Sequence, residues 1–324
     1  MALKVSLGTV VIFGGSGFIG TYYAKKLISD GFFVYVIDLV PPRFLDENMI
    51  FINQDVRTLN DFDLDADVSH IYNFAAIHTT PGHPTHDYYD TNIAGAISVC
   101  EYAELHNINE IVFASSISVY GVGEDAKDEY SALTPNSAYG FSKMLAEKIH
   151  VSWNKRCKSS KLTIVRPAVV FGPGEGGNFT RLAAMMSKGF FVYPGRKDTI
   201  KACIYIEDLV FAIELARQTD NSYELFNGAY PEQYTLENIV DCFKNNYFPN
   251  LKLFTLPKYL VLLIANILHF FNFLNFGIHP DRVLKLIIST NISPQWLIRH
   301  NVQLPGNLRS ALKRWSKESD GRFD

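Results

Sequence analysis

Tyr139 and Lys143 are spaced so that together they could move a proton. They stand at i and i+4 in the run Tyr139-Gly-Phe-Ser-Lys143, so a helix places both side chains on one face. A neighbouring ammonium stabilises tyrosinate and is expected to lower a phenol pKa of about 10 toward neutrality. Such a phenol suits proton exchange with an alcohol or a ketone. Ser115 and Ser116 follow the apolar residues 111–114, and a hydroxyl there could hydrogen-bond the same substrate oxygen.

A glycine-rich turn near the N-terminus has the form of a phosphate-binding loop. Glycine lets the chain turn sharply and lets the backbone approach a pyrophosphate, and the N-terminus of a following helix offers unpaired N–H groups. A strand-like run precedes the turn and a helical pattern follows it, as a dinucleotide site requires. The residues expected to bind there are Gly14, Gly15, Ser16, Gly17, Phe18, Ile19 and Gly20.

Two acidic residues indicate which dinucleotide the turn would hold. Asp38 ends the second apolar run, where its carboxylate can accept hydrogen bonds from both adenosine ribose hydroxyls and would repel a 2′-phosphate. Arg43 could favour NADP, but it follows two prolines, and the sequence does not predict where its side chain points. Asp55 and Val56 come after a third run and are placed to contact the adenine amino group. The cofactor predicted from these residues is NAD.

The elements that must position these residues alternate along the first half of the chain. From residue 9 to about 170, short β-branched runs are separated by helical patterns, which predicts a parallel sheet covered on both faces. The predicted fold class is therefore α/β, with a doubly wound, Rossmann-type parallel sheet. After residue 172 the alternation of strand-like and helical runs becomes less regular. We expect an NAD-binding domain at 1–172, to which later segments return, and a smaller C-terminal substrate-binding lobe at 173–324.

Composition narrows the class of protein further. The chain has 324 residues, is 48% hydrophobic and carries a net charge of −3, which predicts a globular protein with a large core and no nucleic-acid surface. Its four cysteines lack paired spacing, so neither zinc nor a disulfide framework is expected. His78, His83 and His86 lack ligand spacing too, and no metal site is predicted. No signal-peptide pattern appears at the N-terminus, so the expected location is cytoplasmic.

Taken together, these motifs resemble those of the extended short-chain dehydrogenases/reductases, in the NAD-dependent epimerase/dehydratase family that acts on nucleotide sugars. The resemblance covers about residues 9–215. Besides the turn, Asp38 and the Tyr139 to Lys143 run, it is carried by Asn73-Phe-Ala-Ala76, Ser115-Ser-Ile-Ser-Val-Tyr-Gly121, Arg166-Pro167, Gly172-Pro-Gly-Glu175 and Ile204-Tyr-Ile-Glu-Asp-Leu209.

The resemblance implies a role for each site residue. Tyr139 would be the general base or acid, Ser116 would polarise the substrate oxygen, and Lys143 would hold the nicotinamide ribose and lower the tyrosine pKa. Further cofactor contacts are expected at Phe74, Ala75, Ala76, Asn92, Pro167 and Val169. Substrate contacts are expected at His78, Ser116, Asn178 and Lys201, the last standing where the family often has arginine. A nucleotide-sugar substrate and a homodimer are the expected partners.

The residues after Ser116 favour one reaction of the family over another. Dehydratases of this group carry acidic side chains just after the catalytic hydroxyl residue, whereas this chain has Ile117 and Ser118. Neither acts as an acid or base near neutral pH. The sequence thus predicts a nucleotide-sugar epimerase that transfers hydride at a sugar carbinol, C4 by preference. A nucleotide-sugar 4-ketoreductase and a 3β-hydroxysteroid-type dehydrogenase stay open as alternatives, while the intact catalytic residues argue against a non-catalytic NAD sensor.

An uncharged stretch near the C-terminus allows two interpretations. No Asp, Glu, Lys or Arg occurs from residue 259 to 280, and residues 259–276 are strongly apolar. Their length could just span a bilayer, but four polar side chains interrupt them: Asn266, His269, Asn272 and Asn275. The sequence favours a core or lid helix of the C-terminal lobe. The alternative is a helix that makes peripheral contact with a membrane.

Overall fold

The computed structural model describes residues 7–79, 82–257, 259–260, 263 and 287–324. In chain order its strands are β1 (Thr9–Phe13), β2 (Phe33–Asp38), β3 (Met49–Asn53), β4 (Val68–Asn73), β5 (Glu110–Ala114), β6 (Gly123–Lys127), β7 (Lys161–Pro167), β8 (Val169–Phe171), β9 (Phe190–Pro194), β10 (Cys203–Tyr205), β11 (Tyr223–Gly228), β12 (Lys252–Leu256) and β13 (Thr290–Ile292). Its helices are α1 (Phe18–Asp30), α2 (Thr85–Leu105), α3 (Ala138–Arg156), α4 (Asn178–Met186), α5 (Ile206–Arg217), α6 (Leu236–Asn246), α7 (Gln295–Arg299) and α8 (Leu308–Glu318), with a 3-10 turn at Ile117–Tyr120.

Within these residues a seven-stranded sheet has the order β11-β7-β5-β4-β1-β2-β3. The neighbours from β3 across to β7 all pair in parallel, because each connection includes a crossover; α1, α2 and α3 supply three of them. Strand order reverses between β1 and β4, and ligands of such sheets bind outside the carboxyl ends at that point. The predicted doubly wound α/β fold is confirmed.

The core of this sheet explains why its strands read as apolar runs. Residues 10–13 of β1 are fully buried because helices cover both faces. One hydrophobic cluster joins Phe13 of β1, Phe113 of β5 and Trp153 of α3, each at most 1% exposed. Packing on this scale fixes α3 against β5, which matters because both elements carry residues of the predicted site.

The chain divides into two compact units. The first comprises Met1–Gly121, Ala132–Pro167 and Val210–Phe226, and it contains the helices and strands around the seven-stranded sheet. The second comprises Val122–Ser131, Ala168–Leu209 and Asn227–Asp324.

Among the described residues the second unit has three two-stranded pairings, β10-β8, β12-β9 and β13-β6. Glu129 joins the segment Val122–Ser131 to the rest of this unit. The Glu129 carboxylate accepts the N–H groups of Asn227 at 2.9 Å and Gln295 at 3.1 Å.

The uncharged stretch at 259–276 lies outside the described residues except for positions 259, 260 and 263. Across the part of the chain that the structure describes, no helix combines the length and apolar character needed to cross a bilayer. The two interpretations of the stretch therefore stay predictions.

Two buried histidines of the first unit make its stability depend on pH. His70 on β4 lies within 3.1 Å of the Tyr72 hydroxyl, and burial lowers its pKa to about 3. His150 on α3 stacks on Phe113 and bonds to Ala146 O, and burial lowers its pKa to about 4. Both rings are therefore neutral in the folded protein at pH values where they are protonated in the unfolded chain.

We expect the free energy of unfolding to decrease as the pH falls below 6.5. Each histidine contributes about 1.4 kcal/mol per pH unit once the unfolded chain is protonated, so the two give a slope of about 2.7 kcal/mol per unit between pH 6 and pH 5. Urea denaturation at these pH values measures the slope. His70→Gln should remove about half of it, and an unchanged slope in that variant would contradict the assignment.

Candidate active site

The glycine turn between β1 and α1 has the shape of a cradle for an anion. Three of its glycines are required by the protein's own packing: a Cβ would lie 2.5 Å from Ala75 N at Gly14, 2.8 Å from Val36 Cγ1 at Gly15 and 2.4 Å from Gly14 O at Gly20. Gly14 also has a φ of +77°, in the left-handed region that disfavours side chains.

Gly17 differs from these three because the protein leaves room beside it. Its Cβ would meet nothing closer than Gly14 O at 3.3 Å, and the residue is exposed at the N-cap of α1. Ser16 is 8% exposed, and its hydroxyl has no hydrogen-bond partner among the described residues. An unpartnered hydroxyl beside first-turn N–H groups fits a pyrophosphate. Phe18 and Ile19 follow as the first residues of α1.

Asp38 lies beside this turn, as predicted. Its carboxylate accepts the N–H of Ser16 at 3.1 Å and that of Val40 at 3.3 Å, and its remaining lone pairs are suited to ribose hydroxyls. Asp55 is instead paired with Arg57, whose guanidinium donates to both carboxylate oxygens, and these hydrogen bonds lower the pKa of Asp55. If Asp55 contacts adenine, its carboxylate must bind the base and Arg57 at the same time.

The segment after β4 crosses the same edge of the sheet. Phe74 N donates to Phe13 O at 2.8 Å, and the backbone of Ala75 lies against Gly14, so the predicted cofactor residues Phe74, Ala75 and Ala76 adjoin the glycine turn. Val56 packs against Gly95 of α2.

Asn92 of α2 holds this segment in place. Its side chain accepts the N–H of Ile77 at 2.9 Å and donates to Ile77 O at 3.1 Å and to the Ser142 hydroxyl at 2.8 Å. Through these bonds Asn92 fixes the backbone of Ile77, directly before His78, against α2 and α3. His78 follows, and although it has an exposed edge, desolvation and the nearby Lys143 ammonium lower its pKa.

Ser116 and Tyr139 come together at the end of β5. Ser116 is 8% exposed and accepts the N–H of Ser118 at 3.1 Å, which opens the 3-10 turn. Its side chain is also close enough to Tyr139 to lower the pKa of the phenol. Ser115, by contrast, donates to Glu147 at 2.5 Å. Of the two serines, Ser116 is therefore the one that faces the phenol.

Lys143 is held differently from the sequence-based prediction. It is 2% exposed, its Nζ donates to Ala114 O at 2.7 Å, and it lies 4.7 Å from the centre of the Phe113 ring. Burial raises the pKa of Tyr139 to about 12, and Ser116 lowers it only in part. The ammonium is bonded to the Ala114 carbonyl here, and burial outweighs any lowering of the tyrosine pKa, so the effect of Lys143 on the phenol stays a prediction.

Sequence reasoning missed a buried ion pair below these residues. Glu147, one turn after Lys143, accepts two hydrogen bonds from Arg166 on β7, at 2.8 and 2.7 Å, and their side chains are 6% and 4% exposed. The i+4 spacing from Lys143 to Glu147 was the available signal, but nothing in the sequence shows that Arg166 would meet it.

The remaining predicted residues lie at the end of β7 and in the second unit. Pro167 ends β7 in the first unit and is buried. In the second unit, Val169 begins β8, and Asn178 is exposed at the start of α4. Lys201 donates to Ile288 O at 2.7 Å, and burial lowers its pKa to about 8.

Two of the three histidines after β4 sit at the N-terminus of α2. His83 and His86 approach Asp87 at 3.8 and 3.1 Å. Ligand atoms of His86, Asp87 and Asp90 lie within 4.8 Å of one another at the surface. Acidic groups cluster in this way without a metal, so the absence of a metal site stays a prediction.

Comparison with known sequences identifies the family. The sequence model of the NAD dependent epimerase/dehydratase family matches residues 10–228. The chain belongs to this family. Its NAD dependence confirms the predicted cofactor, and the Ser16 hydroxyl, the first turn of α1 and Asp38 are the residues that fit it. The predicted resemblance is likewise confirmed.

Two relatives of this chain are both named as 4-epimerases. The chain is 32% identical over 223 residues to an N-acetyl-alpha-D-glucosaminyl-diphospho-ditrans,octacis-undecaprenol 4-epimerase of Escherichia coli O157:H7, a match of 67% of this chain and 66% of that protein, so it spans just under two thirds of the relative. It is 26% identical over 268 residues to a UDP-glucose 4-epimerase of Lactobacillus helveticus, covering 72% of this chain and 80% of the relative.

Solved structures share the fold. MoeE5 in complex with UDP-glucuronic acid and NAD has a TM-score of 0.75 at 20% identity and covers 96% of this chain and 100% of its own. A UDP-N-acetylglucosamine 4-epimerase from Methanobrevibacter ruminantium M1 has a TM-score of 0.68 at 22% identity and covers 78% and 86%.

The glycines give a matched pair of variants. Gly17→Ala should retain the melting temperature but weaken NADH binding at least tenfold, because the new methyl group occupies the space at the N-terminus of α1 and not space filled by the protein. Gly20→Ala should lower the Tm, since its Cβ would meet Gly14 O at 2.4 Å. Thermal denaturation and NADH fluorescence titration separate the two. Unweakened NADH binding by Gly17→Ala would remove this turn from the cofactor site.

Proposed function

We propose that this chain is an NAD-dependent nucleotide-sugar epimerase that inverts a sugar carbinol, at C4. The observation that carries the proposal is the placement of Ser116 directly after the carboxyl end of β5, with Tyr139 on α3 one turn from the buried Lys143, whose ammonium is held by Ala114 of the same strand end. The 4-epimerase names of the two relatives support it. The chain spans just under two thirds of the first relative, so we propose the nucleotide-sugar substrate together with the reaction.

Each site residue has a chemical task in this account. NAD, when bound, supplies reversible hydride transfer. Tyr139 exchanges the proton of the sugar hydroxyl, and Ser116 donates a hydrogen bond to the same oxygen, the bond it now makes to Ser118. With a pKa of about 12, Tyr139 starts as a neutral phenol at pH 7, the form that returns a proton to a ketone. Removal of a proton from the alcohol requires the Lys143 charge to act on the phenol.

The residues after Ser116 argue against dehydration. Ile117 and Ser118 line the 3-10 turn, and neither can remove a proton or expel water near neutral pH. A 4-ketoreductase would use the same three catalytic residues, so only product analysis separates it from an epimerase. A hydroxysteroid-type dehydrogenase would also use these three residues, and its substrate would separate it from an epimerase.

A second candidate substrate is a sugar linked through diphosphate to a polyprenol. The relative from Escherichia coli is named for such a substrate, and the uncharged residues 259–276 would suit peripheral contact with a lipid surface. Flotation with liposomes tests the contact. Recovery of the wild-type protein with the vesicles would favour the lipid-linked sugar, and recovery in the lipid-free fraction would favour the nucleotide sugar.

A homodimer would form on the outer face of α2 and α3. Ile97 and Phe141 are 42% and 41% exposed there, and a groove of about 280 Å³ is lined by Ile97, Cys100, Glu101, Ile149, Ser152 and Arg156. Exposed apolar side chains around a groove are typical of a protein interface. Sedimentation equilibrium tests the proposal, and a mass of one chain, about 36.6 kDa, at all concentrations would contradict it.

The reaction is tested by incubating the protein and NAD with UDP-glucose, UDP-N-acetylglucosamine and undecaprenyl-diphospho-N-acetylglucosamine in turn. We expect one of them to be converted to its C4 epimer with no net change in NADH. Stoichiometric consumption of added NADH with a 4-keto sugar would instead identify a reductase. Failure to convert any of these sugars would contradict the proposed activity.

Tyr139→Phe should abolish turnover and leave NADH affinity nearly unchanged, because only the transferable proton is lost. The expected decrease in kcat is at least a thousandfold, about 4 kcal/mol in the barrier. Ser115→Ala is a comparison from the same strand end that leaves the phenol and Ser116 in place, and its kcat should fall far less, by about tenfold. Activity of Tyr139→Phe within tenfold of the wild type would remove Tyr139 from this role.

A further inference from the structure

The buried pair of Glu147 and Arg166 is connected to every element that carries a proposed catalytic residue. Glu147 is on α3, the helix of Tyr139 and Lys143. Its Oε1 also accepts the hydroxyl of Ser115, the residue directly before Ser116. The pair therefore joins the helix that carries the phenol to the strand end that carries the serine.

Arg166 adds a third connection. Besides its two bonds to Glu147, its Nη1 donates to the Tyr120 hydroxyl at 2.7 Å. Tyr120 ends the 3-10 turn whose N-cap is Ser116. A planar guanidinium with five donors in fixed directions can hold both groups at once, so β7 fixes the turn and α3 together.

Glu147 also supplies a negative charge next to Lys143. Burial lowers the pKa of Lys143 to about 7, and the Glu147 charge opposes that decrease. The other groups that face the ammonium are His78 from the segment after β4 and His150 on α3, whose pKa values its charge lowers. Both are ordinarily neutral above pH 7. Arg166 is the cation bound to Glu147, and Glu147 is the anion one helical turn from the lysine.

We propose that Glu147, held by Arg166, is a positioning residue that sets Ser116 against Tyr139 and places a negative charge one helical turn from Lys143. This role rests on the proposed function, because Glu147 would affect turnover only through Ser116, Tyr139 and Lys143. Arg166 would contribute by fixing the carboxylate in one orientation, which an exposed glutamate would lose to side-chain motion.

The charge is tested by NADH binding as a function of pH. Glu147→Gln keeps the shape of the side chain and removes its charge. NADH fluorescence titrations from pH 6 to pH 10 should show affinity falling as Lys143 loses its proton. In Glu147→Gln the midpoint should lie at least one pH unit lower, with a Kd at least tenfold higher at pH 8. Glu147→Asp, which restores the charge, should return the midpoint toward the wild-type value.

Glu214→Gln is the matched control for loss of a buried carboxylate. Glu214 is 8% exposed in the same unit, accepts the hydroxyls of Tyr23 and Tyr72, and pairs with Arg217. Its variant should lower the Tm and leave the midpoint of NADH binding in place. Equal midpoints in wild type, Glu147→Gln and Glu214→Gln would overturn the electrostatic role of Glu147.

The geometric role is tested by Ser115→Ala, which removes one hydrogen bond and no charge. It should fold even if Glu147→Gln does not. We expect kcat with the sugar that the wild type converts to fall about tenfold while KM and the NADH midpoint stay unchanged; an unchanged kcat would overturn this role. If the wild type converts none of the tested sugars, the proposed activity fails, but the NADH titrations still decide the role of the Glu147 charge.

Discussion

The burial of the Lys143 ammonium is the constraint on which the proposed site depends. A charge taken out of water costs several kcal/mol unless it gains partners in the interior. Here the partners are the Ala114 carbonyl, the face of Phe113 and the charge of Glu147. Glu147 is itself buried and is compensated by Arg166. The result is a chain of interactions that joins β5 and β7 to α3, the helix that carries Tyr139.

The doubly wound sheet brings the parts of this chain to one edge. β1, β2, β4 and β5 are parallel neighbours, so the residues that follow them lie along the same carboxyl edge. That edge holds the glycine turn after β1, Asp38 at the end of β2 and Ser116 after β5. Tyr139 reaches it from the first turn of α3, where the Ser137 side chain caps the helix. The fold thereby places the predicted cofactor residues and the proposed acid–base residues side by side.

Local sequence pattern was sufficient for the parts of the site that depend on a single element. The i and i+4 spacing placed Tyr139 and Lys143 on one helix, and the glycine turn and Asp38 were found at the strand ends where the structure has them. The lysine–carbonyl bond and the Glu147–Arg166 pair were not predictable, because they require α3, β5 and β7 to be packed together. The burial that raises the pKa of Tyr139 was not predictable for the same reason.

The central claim is that a hydrogen leaves the sugar carbon and returns to the same carbon without exchanging with water. The most direct measurement uses UDP-N-acetylglucosamine, or its undecaprenyl-linked counterpart, with deuterium at C4, incubated with the protein and NAD in ordinary water. The account predicts an epimer that retains the deuterium at C4 and forms more slowly than from unlabelled sugar. An epimer that has lost its deuterium to water would contradict hydride transfer, and with it the roles assigned to Ser116, Tyr139 and Lys143.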